Sequence, residues 1–138
     1  MELKEVKKLF SDMSTELKEK GNDFWCIINQ KSIIEILKKL KEGGIENLIL
    51  ISSMDIGETI DVIYHFSFDT NERYTLNIRT QLPREKPEIE SITSVYPGAM
   101  ILEREAFEMV GVNFKGHPDL RKAFLDDESP ETPLRRGK

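Results

Sequence analysis

Three carboxylates and a guanidinium lie within the six positions from Glu103 to Glu108, as Glu103, Arg104, Glu105 and Glu108, and such a cluster is where acid–base chemistry would be sought first. General acid–base work on one bond needs two carboxyl groups that flank it. On a helix, Glu103 and Glu105 point about 200° apart and cannot do so. Arg104 and Glu108, four residues apart, can pair, and acids near a helix start are favoured by its dipole. From the residues alone, a solvated helix start is the leading reading. His65 and His117 are the two histidines and Cys26 is the single cysteine, too few and too scattered for a metal-ligand spacing, an iron–sulfur site or an internal disulfide. His65 reads as an ordinary polar position on a sheet face. His117 stands in the constrained turn Gly116-His117-Pro118, where its ring could bond backbone, cap a following helix or touch a redox partner, capping being favoured. The sequence has no Gly-x-Gly-x-x-Gly, no Walker loop and no Ser-His-Asp arrangement, so nucleotide and hydrolytic readings have no anchor.

These side chains must be carried by a fold small enough for one core, since the chain has 138 residues. Leu3, Val6, Phe10, Met13 and Leu17 recur at helical spacing and predict a first amphipathic helix ending at Gly21-Asn22. Phe24 to Ile28 reads as a buried strand. Ser32 stands three residues before Glu35, a capping-box spacing, and Ile33, Ile36, Leu37 and Leu40 predict a second helix stopped by Gly43-Gly44. Strands are predicted at Leu48 to Ser53, Thr59 to Phe68 and Tyr74 to Leu82, the last two alternating as a hairpin with one buried face each. Ile89 to Tyr96 reads as a short helix or turn. Beyond it, Ala99, Leu102, Ala106 and Met109 share a helical face that Gly111 ends, and a short helix is predicted through Leu120 to Phe124. The fold class is therefore α+β: a mixed, largely antiparallel sheet of about four strands with helices on one face, then a helical segment, all within residues 1–125. Residues 126–138, which hold Pro130 and Pro133 and no apolar stripe, are predicted to be an extended tail.

Composition excludes several classes. With 25 acids against 20 bases the net charge is -5, and no basic arm or helix stands out, so no nucleic-acid partner is expected. No segment approaches the roughly 20 apolar residues of a membrane span, and the N-terminus lacks the apolar block of a signal peptide. A cytoplasmic chain that meets a membrane only through partners is expected.

From Glu103-Arg104-Glu105 through Gly111-Val112-Asn113-Phe114-Lys115-Gly116-His117-Pro118-Asp119-Leu120-Arg121, the order of charges, glycines and aromatics resembles the signature of the 30-kilodalton (C) subunit of complex I. The same family includes the equivalent small subunit of membrane-bound, energy-converting nickel-iron hydrogenases. The likeness is loose over the whole chain and specific from about Ser94 to Arg121. It implies a hydrophilic subunit of an ion-pumping redox complex, peripheral on the inner face of the cell membrane. Such a subunit has no catalytic residues and no cofactor of its own; iron–sulfur clusters, and a nickel-iron centre in hydrogenase-type members, belong to partner subunits. The implied partners are the large hydrogenase-like subunit and the adjacent iron–sulfur subunit. The implied docking residues are Glu103, Arg104, Glu105, Glu108, His117, Asp119 and Arg121, with Leu134, Arg135 and Arg136 of the tail. A run of fixed charges suits an interface where a misplaced partner leaves charges unpaired.

Glu108 stands where many members have Asp, and Val110 replaces a common aromatic. The chain also stops four residues after Leu134. That compact form tilts the expectation towards a hydrogenase or related ferredoxin-dependent complex. The alternatives are a complex I linked to NADH or coenzyme F420, and a free-standing interaction adaptor.

Overall fold

The structure, a computed structural model, describes residues 3–12, 17–69 and 72–118. Helix α1 spans Leu3–Asp12. Strands β1 (Lys18–Lys20) and β2 (Asp23–Ile27) follow, then α2 (Ile33–Glu42) and the long strands β3 (Asn47–Asp55), β4 (Thr59–Asp69) and β5 (Arg73–Pro83). After β6 (Glu88–Glu90) come α3 (Ala99–Val110) and β7 (Asn113–Lys115). The main sheet has five strands in the order β1-β2-β5-β4-β3, and β6 pairs with β7 in a small second sheet.

The pairing is antiparallel throughout the main sheet except between β2 and β5, which run parallel. The α+β class and largely antiparallel sheet are as the sequence predicts, with one strand more than expected. The extra strand is β1. Leu17 continues the apolar spacing of α1, which is described over Leu3–Asp12, but Lys18–Lys20 is a strand that pairs back on β2. Gly21, with φ 62°, supplies the left-handed turn residue between them.

The inner faces of β2, β4 and β5 and the apolar stripes of α1 and α2 meet in one core, with Val6, Phe10, Phe24, Ile36, Leu40, Tyr64 and Phe66 buried. Alternation in β4 puts Ile60, Val62, Tyr64, Phe66 and Phe68 on this side. The capping box before α2 does not form: Ser32 makes no side-chain cap bond, and Asn29 instead accepts from Lys31 N at 2.9 Å to start a 3-10 turn over Gln30–Ser32. Gly43-Gly44 ends α2 as predicted.

Tyr96 links the core to the C-terminal region. Its hydroxyl donates to Ile45 O at 2.6 Å, its ring lies 5.1 Å from that of Phe66, and the Lys41 ammonium sits 5.4 Å from its ring centre. At the far end of the sheet, Arg84 forms a two-pronged pair with the buried carboxylate of Asp55, which also accepts from Gly57 N to close the β3–β4 turn. That hydrogen bond holds the Arg84 guanidinium above its ordinary value, so it stays a cation.

Candidate functional site

Helix α3 carries the charged cluster. It begins after Gly98 and ends at Gly111, whose φ of 82° is the left-handed cap a side chain would disfavour; its N–H bonds Phe107 O at 3.0 Å. The helix buries Ala99, Glu103, Ala106, Glu108 and Val110, whereas Leu102 and Met109 are only partly covered. The buried stripe is thus rotated from the apolar one that spacing suggests, because two glutamates take core positions. This is not a solvated helix start.

Glu103 is fully buried because it has work inside the chain. Its carboxylate accepts from Ser91 Oγ at 2.6 Å and from Ile92 N at 2.8 Å, fastening α3 to the segment after β6. His117 Nε2 lies 4.0 Å away and donates to Met100 O at 2.9 Å, so the Gly116-His117 turn folds back on the first turn of α3. Of the three roles open to His117, the hydrogen bond to backbone is the one seen. Burial raises the Glu103 carboxyl above the ordinary glutamate value, against the opposing hydrogen bonds of Ser91 and Ile92 and the pull of His117.

Arg104 and Glu105 are half-buried on the outer side of α3, beside the exposed Ile101. Asp119 and Arg121, the helix predicted through Phe124, and Leu134, Arg135 and Arg136 lie outside the described residues. The segment read as a short helix or turn begins as strand β6, in parallel register with β7, Ile89 opposite Phe114, and then makes the expected turn, with Val95 N and Tyr96 N both donating to Ile92 O. Both strands have three residues, too short for their alternation to register as a strand signal.

A second polar group was not visible in the sequence. On the opposite face of the main sheet, Ser52 Oγ lies 2.9 Å from His65 Nε2, and His65 Nδ1 lies 2.7 Å from Asn77 Oδ1. The Asn77 amide nitrogen donates to Phe24 O, which leaves its oxygen as the acceptor. A neutral His65 therefore carries its proton on Nδ1 and accepts from Ser52. The distances are those of a nucleophile–base–orienter set, but Ser52 stands in the middle of the edge strand β3, whose unpaired amides alternate along the strand and so cannot converge as an adjacent pair on one oxyanion. The trio acts as a clasp across β3, β4 and β5. The only signal for it was register, which places Asn77 opposite His65 and Ile63 opposite Ser52.

Among the described residues, no group of three or more His, Cys, Asp or Glu side chains could hold a metal ion, and no helix is long and apolar enough to cross a membrane. Cys26 faces the core, and burial pushes its thiol up to about 12, which makes it a poor nucleophile at neutral pH.

A mixed sheet with helices on one face, and a charged helix tied into it, defines a small α+β domain. Residues 26–137 match the family described as "Respiratory-chain NADH dehydrogenase, 30 Kd subunit", and the chain belongs to that family. It is 30% identical over 137 residues to the C subunit of NADH-quinone oxidoreductase from Moorella thermoacetica, covering 97% of this chain and 90% of that one. It is 37% identical to the C subunit of F(420)H(2) dehydrogenase from Methanosarcina mazei, over 77% of this chain and 67% of the relative. The C/D subunit of NADH-quinone oxidoreductase from Phocaeicola vulgatus is 38% identical over 79% of this chain, which spans 21% of that protein. The chain spans about half of several other C-subunit relatives. In fold it resembles the trypsin-resistant fragment of Nqo5, with a TM-score of 0.75, 23% identity and coverage of 87% and 100%. It also resembles a chain of an archaeal membrane-bound sulfane sulfur reductase, with a TM-score of 0.80, 21% identity and coverage of 93% and 78%.

These relatives bear on the tilt towards hydrogenases, which rested on compactness. The Moorella C subunit of an NADH-quinone enzyme is matched over 90% of its length, so a compact chain does not mark the hydrogenase branch.

Proposed function

We propose that this chain is the C subunit of a membrane-bound respiratory oxidoreductase of the complex I type, linked to NADH or coenzyme F420. The observation that supports this most is the family match over residues 26–137. The chain docks on a large hydrogenase-like subunit next to an iron–sulfur subunit. A relative in which C and D share one chain supports a D-type neighbour. The chain sits on the inner, cytoplasmic side of the membrane and reaches it only through partners.

The outer side of α3 is the docking surface. Glu103, Glu108 and His117 shape it from within, and Arg104 and Glu105 present charge outward. Asp119, Arg121 and the tail residues Leu134, Arg135 and Arg136 extend the same contact. Reversing Arg104 and Glu105 together, as Arg104→Glu with Glu105→Lys, should weaken assembly with the co-expressed partner subunits. The loss expected for an interfacial charge pair, about 2 to 5 kcal/mol, is at least about 30-fold. The same variant should keep the wild-type circular dichroism spectrum. Unchanged co-purification would remove α3 from the interface.

No redox chemistry is assigned to this chain itself, and the iron–sulfur clusters belong to its partners. The isolated full-length chain should be colourless and hold no stoichiometric iron, nickel or zinc by elemental analysis. One metal per chain would overturn this. Nickel in the purified complex would move the assignment to the hydrogenase-type assembly.

A further inference from the structure

Among the described residues the helices cover one face of the main sheet; on the other face Asp61, Ile63, Ser67 and Asn77 are buried at the centre, and apolar groups are exposed towards its β2 and β3 sides. Its rows run straight across four strands: Asp23, Thr75, Ser67, Asn47; then Trp25, Asn77, His65, Leu50; then Ile27, Arg79, Ile63, Ser52; and on three strands Gln81, Asp61, Met54. Large apolar groups stand free on it, with Trp25 38%, Ile27 61%, Leu50 41% and Met54 41% exposed. Trp25 and Ile27, two residues apart on β2, form one exposed apolar patch; such patches mark contact sites, and tryptophan is enriched at their energetic centres.

The polar groups among them are satisfied within the sheet. Asp61 takes Thr59 and Arg79, His65 takes Ser52 and Asn77, Ser67 takes Asn47, and Thr75 donates to Asp23. Covering the part of this face around Trp25 therefore leaves only the Lys18 ammonium to be matched by an occupant, which limits the usual penalty for drying a polar surface. Charge also has a direction here. Lys18 stands opposite Trp25 on the same face and has no ion-pair partner among the described residues, and Arg79 turns Nε and Nη2 to Asp61. Lys18, Trp25, Ile27 and Arg79 line a cleft of about 240 Å³. That is smaller than the roughly 300 to 1,000 Å³ of small-molecule pockets and suits a single side chain.

We infer that the Trp25 side of this face is a second docking surface, which takes a segment of another subunit that seats an apolar side chain beside Trp25 and sets a carboxylate against Lys18. The inference rests on the assembly reading above, but it uses the side of the sheet opposite α3. The chain then bridges two neighbours.

A photo-crosslinking amino acid in place of Ile27, and separately in place of Ile101 on α3, tests this in the assembled complex with the full-length chain. Both positions should cross-link to partner subunits at different segments, and the segment reached from position 27 should carry an Asp or Glu beside an apolar residue. Trp25→Ala should weaken assembly about 30-fold, as for an interface hot spot. Ile27→Glu, at a site this exposed, should weaken it with little change in melting temperature. Lys18→Glu should weaken it too, with recovery when the mapped partner carboxylate is changed to Lys. Cross-linking from position 101 alone would overturn the second surface and leave the assembly reading intact. Cross-linking from neither would remove both. A cross-link from position 27 to another copy of this chain, or to a segment without a carboxylate, would also overturn it.

Discussion

Glu103→Ala should destabilise the isolated chain by about 3 kcal/mol, because it leaves the Ile92 N–H buried without an acceptor and the Ser91 hydroxyl with only Thr93 Oγ1, 2.9 Å away, to receive its proton. For a chain of this size, that corresponds to a fall of about 10 °C in melting temperature. Glu103→Gln keeps one acceptor oxygen and should lose less. The two variants also separate charge from hydrogen bonding through pH. Burial raises the carboxyl of the native state above its unfolded value of 4.5, so the folded chain holds this proton more tightly. The stability this confers is fully present below pH 4.5. It is lost as pH rises from there through the native value, and no further above it. The melting temperature of wild type should therefore carry a falling component across that window, and Glu103→Gln should lack it. Identical pH profiles for the two proteins would show that Glu103 does not titrate as a buried acid.

Tyr96→Ala should cost about 3 to 5 kcal/mol in chemical denaturation, the range for truncating a buried aromatic. Tyr96→Phe should cost about 1 kcal/mol, the share of the hydroxyl bond to Ile45 O. The gap between the variants measures the ring, which packs on Phe66 and lies under the Lys41 ammonium. Because Tyr96 stands just before α3, its loss should loosen the docking helix as well as the core. Hydrogen exchange of the α3 amides should quicken in Tyr96→Ala. If those amides stay protected, α3 is held by Glu103 and His117 without help from Tyr96.

Much of the scaffold could be read from spacing. The alternation of Ile60 to Phe68 and of Tyr74 to Leu82 located β4 and β5, and Ile33, Ile36, Leu37 and Leu40 located α2, because each pattern follows from one local period. Where local and non-local forces disagree, the pattern misleads. Leu17 fits the stripe of α1, yet Lys18–Lys20 follows the pull of β2 and becomes a strand. Glu103 and Glu108 look like surface residues because charge usually stays in water, and only the positions of Ser91 and Ile92 explain why Glu103 does not. The Ser52–His65–Asn77 clasp needs the register of three strands, which no single segment contains. The family signature supplied what periodicity could not, since it recognises an order of residues without needing the contacts behind it.

The parallel seam between β2 and β5 has a consequence for how the chain is made. Phe24 O waits for the amide of Asn77, 53 residues later, and Asn22 O waits for the N–H of Thr75. During synthesis β1 and β2 leave the ribosome with Phe24, Cys26 and Ile28 unpartnered, while β3, β4 and β5 can zip as a local meander as soon as residue 83 emerges. The N-terminal hairpin is therefore the last strand pair to join the sheet. For as long as it waits, it is the stretch of the nascent chain with most need of a chaperone.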